Sequence, residues 1–117
     1  MKYGQLIENI TVWNKFLNIE VSAEYIKPIV EMHNVLINEL NFIAQEKKSS
    51  LEKYNGRIDA GKVIIDNKED VSKYNADIEH LMSSEINVTP ITLKSSSIGS
   101  KISPALVIAL EGVVSIV

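Results

Sequence analysis

SAEYIKPIVEMHNVLINELNFIAQEKKSSLEKY, residues 22–54, is the longest periodic stretch of the chain and sets the fold class. Ile26, Ile29, Val30, His33, Leu36, Ile37, Leu40, Ile43 and Ala44 recur at three- and four-residue steps, the spacing of one helical face. The pattern continues weakly through Lys47, Leu51 and Tyr54. Ser22 is placed to cap this helix, and Glu24 sits near its positive end. Pro28, about one turn inside, either kinks the helix or marks its start. Roughly thirty-two helical residues would span about 48 Å, against a radius of gyration near 13 Å for a globule of about this length. The stretch therefore predicts a bend near Ser49-Ser50 or an arm that projects from the body.

Working toward the N-terminus, Tyr3, Leu6, Ile7, Ile10, Trp13, Phe16 and Leu17 form a second helical stripe, which predicts a helix over 2–17. Residues 18–21 alternate apolar and polar and read as an extended connector. Toward the C-terminus, Asn55-Gly56 suits a left-handed helix stop. Asp59-Ala60-Gly61 is turn chemistry between two short apolar runs, a small hairpin. Asp66 with Glu69 resembles a capping box, opening a helix whose face is Val71, Tyr74, Ile78, Leu81 and Met82. Ile86, Val88, Ile91 and Leu93 read as a strand, at an edge or bulged because Pro90 has no N–H to donate.

KSSSIGSK, residues 94–101, reads as a flexible linker. Ser103 then offers a capping hydroxyl and Pro104 a first helical residue. Residues 105–117, ALVIALEGVVSIV, are apolar around most of a helical circumference. Such a helix must be buried, in the chain's own core or in a groove on another molecule. A membrane span is disfavoured, since its fourteen residues reach about 21 Å against a hydrocarbon core of about 30 Å. The linker, the all-round apolar character and the terminal position favour a docking arm. Leu106, Val107, Leu110, Val113, Val114 and Val117 are its candidate residues for binding a second copy or a partner. The expectation is an α+β fold, mostly α-helical. Its parts are three to four helices, a small antiparallel β-sheet from 57–65 and 86–93, and an apolar C-terminal helix. Residues 1–93 form the core domain, 94–102 the linker and 103–117 the arm.

Composition narrows the function classes. The chain has 117 residues, 45% hydrophobic and 23% charged, within the globular range and outside that of wholesale disorder. Twelve basic and fifteen acidic residues give a net charge of −3, no surplus to recruit nucleic acid or an anionic membrane. The absence of cysteine excludes disulfides, thiolate metal sites and cysteine nucleophiles. Arg57 is the single arginine, so bidentate clamps on phosphate or carboxylate are nearly absent. The first residues lack the apolar run of a signal peptide, and the expected compartment is the cytoplasm.

No motif carries catalysis. Gly56 to Lys62 falls one residue short of a phosphate-binding loop, and Val63 stands where a magnesium-holding hydroxyl is needed. His33 lies on the apolar stripe as a core histidine, and His80 reads as solvated. Neither belongs to a metal-ligand spacing. Asp59, Asp66, Asp70 and Asp77 are spaced like caps and surface charges. The expectation is a non-catalytic protein with no cofactor and no metal.

Five stretches in order carry a resemblance: Leu17 to Ser22, Leu51 to Gly56, Val63 to Asp66, Glu85 to Val88, and Ser103 to Leu106. Through them nearly the whole chain resembles the small non-structural siphophage proteins coded near the tape-measure gene, and is most similar to the lactococcal tape-measure chaperones. Relatives often end in a more charged amphipathic helix, so the apolar tail departs from that pattern. The resemblance implies a tail-assembly chaperone in the host cytoplasm, outside the mature virion. It would bind apolar helices of the tape-measure protein. The alternative is a small regulatory protein, of antitoxin or anti-repressor type, with one specific protein partner.

Overall fold

The computed structural model describes residues 1–99 and 102–117. The fold is α+β and mostly helical. Helix α1 runs Tyr3–Phe16 and α2 Ile26–Lys53, joined by a short connector and a single 3-10 turn at Ala23–Tyr25. Strands β1 (Arg57–Asp59) and β2 (Lys62–Ile64) follow, then α3 (Lys68–Ser83) and β3 (Ile91–Leu93). The chain closes with α4 (Pro104–Ala109) and β4 (Val114–Ile116).

Helix α2 is continuous through Ser49-Ser50, so its length is accommodated by projection rather than by a bend. The molecule is 56 Å long and about 20 Å across, with a radius of gyration of 17.7 Å. Pro28 lies in the first turn, where its missing N–H costs nothing. The helix ends in a Schellman motif. Asn55 takes the left-handed position (φ 52°), and the Gly56 N–H reaches the Leu51 carbonyl at 2.8 Å. A Cβ on Gly56 would stand 2.2 Å from Leu51 Cδ1, so the helix stop and the close approach both need this pair.

The core forms where α1 crosses α2. Leu6, Trp13 and Phe16 pack with Ile29, Met32, Leu36 and Ile43 of α2, with Leu93 and with residues of the C-terminal segment. Trp13 Nε1 donates to His33 Nδ1 at 3.1 Å, which satisfies both the buried indole and the stripe histidine. Tyr3 Oη donates to Glu39 Oε2 at 2.5 Å and ties the start of α1 to mid-α2. That bond, then burial, pushes the Tyr3 phenol up to about 12.

Several expectations are corrected. The C-terminal helix does not run over 103–117: it ends at Ala109, after the Ser103 cap and Pro104 appear as expected. Gly112 (φ 99°) turns the chain, and the β-branched run beyond it forms β4. The antiparallel sheet consists of β1 and β2 alone, turned at Ala60-Gly61 with positive φ at both residues. The strand expected over 86–93 shortens to β3 and does not join that hairpin. It pairs in parallel with β4, Ile91 opposite Val114.

The stretch read as a linker is hydrogen-bonded on the described side. Ser22 N–H donates to the Ser97 carbonyl, Gly99 N–H to the Glu20 carbonyl and Ser95 N–H to the Val117 carbonyl. Of its residues, Ser100 and Lys101 lie outside the described ones. Ser22 does not cap with its side chain; the hydroxyl points to Ser97 instead. Helix α3 is capped by Asn67, whose side chain accepts from the N–H groups of Glu69 and Asp70. Asp66, expected in that role, pairs with Arg57 at 3.2 Å.

Candidate protein-binding surface

The six residues expected to dock a partner divide in the structure. Leu110, 1% exposed, is buried in the chain's own core with Val113 and Val114. Leu106 packs against that core from its edge, whereas Val107 and Val117 are accessible. The stripe Val107, Leu110 and Val114 therefore does not stand free as one surface. The C-terminal segment docks in cis.

The largest apolar concavity lies at the other end of the molecule, where α2 and α3 run side by side and the β1–β2 hairpin closes over them. This groove has a volume of about 910 Å³. Its lining includes Ala44 and Leu51 from α2, Tyr74 and Ile78 from α3, and Ile58 and Val63 from the hairpin. Ile58 and Val63 are cross-strand partners, so both project from one face of the hairpin. They are 67% and 47% exposed, an apolar pair that the fold itself leaves uncovered. Lys47, Lys48, Glu52 and Glu79 ring the groove with charge.

Local chemistry explains why the groove stays open. Helix α3 carries no fully buried residue, so it holds α2 through a half-buried face only. Part of that hold is polar and sits on the opposite side of the helix pair. Ser50 Oγ and Tyr54 Oη both donate to Asp77 Oδ2, at 3.0 and 2.8 Å, and Lys53 Nζ approaches the same oxygen at 3.8 Å. Tyr54 first, then Ser50, hold the Asp77 carboxyl below its ordinary range. These bonds clamp the two helices and leave the apolar side free to receive a ligand.

Sequence reasoning placed Ile58 and Val63 in a hairpin but missed their role as groove wall, and it treated Asp77 as a surface charge. The available signal for the wall was the apolar side chains flanking a two-residue turn with no core partner assigned to them. The structure brings none of the six C-terminal candidates to this groove. Among the described residues no cluster of metal-ligating side chains occurs, and no helix is long and apolar enough to cross a membrane. No protein-family model, curated protein or solved structure matches the chain.

Proposed function

We propose that the protein is a non-catalytic phage tail-assembly chaperone that covers apolar helical segments of the tape-measure protein in the groove between α2, α3 and the hairpin. The single observation that carries this reading is that groove of about 910 Å³, with Ile58 and Val63 exposed along one wall. An open apolar channel ringed by charge suits the apolar stripe of an amphipathic helix, and its rim suits the polar flanks. A long helical protein awaiting assembly exposes such stripes and aggregates unless they are covered. The sequence resemblance points the same way and supplies the partner and the host-cytoplasmic setting.

Self-association through the C-terminal segment enters this reading as an exchange. Leu110, Val113 and Val114 would leave their own core and fill the equivalent site of a neighbour. The test of the main reading is a fluorescence titration of labelled apolar tape-measure peptides against the full chain and an Ile58→Asp variant. Binding by the full chain, weakened at least about tenfold in the variant, is the expected result. Equal binding by both, or none by either, removes the groove from the account. Recognition of one folded partner and of no isolated helix would favour the regulatory alternative.

A further inference from the structure

The apolar stripe of α2 is wider than the fold can cover. Its core-facing side is spent on Ile29, Met32, Leu36 and Ile43, which are buried against α1 and the C-terminal segment. An adjoining row, Ile26, Val30, His33, Ile37, Leu40 and Ala44, advances in steps of four, three, four, three and four. That alternation keeps one seam on one side of a helix over about 27 Å and is the repeat by which two helices pack along their length. Ile26, Val30 and Ile37 are 53%, 52% and 37% exposed. Pro28 lies on the far side of the helix and does not interrupt the row.

Charge identifies the occupant. No residue of the row from 26 to 44 is formally charged at neutral pH, but the two ends differ in sign. Glu20 lines the shallow groove beside Ile26, and Glu24 lies in the turn that leads into α2. At the other end Lys47 and Lys48 outnumber Glu52 on the groove rim. Lys27 and Glu31 face each other at 4.0 Å and offset one another. An identical helix laid antiparallel brings the acidic end of each copy to the basic end of the other. A parallel arrangement would set Lys47 and Lys48 against their own counterparts.

We infer that this face is an isologous interface with a second copy of the chain, the two α2 helices packed antiparallel through Ile26, Val30 and Ile37. Pairing Glu24 of one copy with Lys48 of the other places the two-fold axis at residue 36, beside Ile37. The interface is separate from the C-terminal segment, which stays in cis. It does not depend on the chaperone reading.

Sedimentation equilibrium of the full chain over a range of concentrations tests it. The expected result is a monomer–dimer equilibrium. Ile37→Glu raises the dissociation constant at least about 100-fold, because the charge falls on the axis in both copies. Circular dichroism of that variant stays unchanged, since the side chain is outside the core. Glu24→Lys and Lys48→Glu each weaken the dimer by about three- to tenfold, and the two together restore it. A monomer at every concentration overturns the inference, as does a dimer indifferent to Ile37→Glu. Strengthening by Lys48→Glu alone would mean parallel helices and overturns it too. A monomer that takes up a tape-measure peptide in an Ile37-dependent way would assign the stripe to that partner instead.

Discussion

The two ends of the molecule are built from the same residue types and packed to different degrees. At the body, α1, the first half of α2, β3 and the C-terminal segment converge on Trp13, Phe16, Leu36, Leu93 and Leu110, all fully buried. At the tip, the second half of α2 meets α3 and the hairpin with Leu51 as its one buried residue, while Ile58 and Val63 remain outside. Apolar surface left in water is unfavourable by about 25 cal/mol per Å², so a tip of this kind gains most from a ligand that covers it. The body holds the fold; the tip is where binding is worth the most free energy.

The largest effect that would separate the two regions is a charge in the body. Leu110→Asp buries a carboxylate with no partner and is expected to destabilise by more than about 4 kcal/mol. Loss of helical circular dichroism across the whole chain is the readout. Deleting residues 103–117 should act the same way, because it removes Leu110, Val113 and Val114 from the core. A truncated chain with native helix content would show that the body does not need this segment. Leu51→Ala, at the tip, should cost about 2–3 kcal/mol and leave the body's transition in place. A single cooperative transition shifted as a whole would mean that the two regions unfold together.

The Tyr3–Glu39 bond marks the seam between the regions on the pH axis. The phenol is raised from 10.0 to about 12 in the folded chain. Its contribution to stability is therefore complete below about pH 10 and is lost as pH rises through about 12. Of the four tyrosines, one should ionise last in an alkaline absorbance titration, and Tyr3→Phe should remove that late step. Persistence of the late step in the variant would assign it to another residue.

Two smaller effects belong to the hairpin. Ala60 holds positive φ at the turn (50°), which costs a side-chain-bearing residue about 1 kcal/mol. Ala60→Gly should recover about 0.5–1 kcal/mol in thermal unfolding of the tip. Ile58→Asp should change stability by less than about 0.5 kcal/mol, since the side chain is already in water. A large loss of stability in that variant would place Ile58 in the fold rather than in the binding surface.

The helices were legible because their stripes repeat over many residues, as in Tyr3 to Phe16 and Ile26 to Leu51. The hairpin was legible because Asp59-Ala60-Gly61 allows few alternatives. The C-terminal segment was not, and the reason is physical. Residues 105–117 are apolar in either period, so hydrophobicity alone does not distinguish six helical residues plus a strand from one helix. The decisive features are Gly112 and the β-branched run after it. Parallel pairing of β3 with β4 joins residues more than twenty positions apart, and no local pattern encodes that partner. The groove stayed hidden for a related reason: Ile58, Val63, Leu51 and Tyr74 come from three elements whose spatial order the periodicities do not set. Asp77 was one of several acids, and only the approach of Ser50 and Tyr54 from α2 sets it apart.

The most direct test of the account follows backbone amide shifts of the isotope-labelled full chain as an apolar tape-measure helix is added. The account predicts that the largest changes fall on Leu51, Ile58, Val63, Tyr74 and Ile78, with the amides of Trp13, Leu36 and Leu110 nearly still. Changes concentrated on residues 104–117, or none at any peptide concentration, would contradict it.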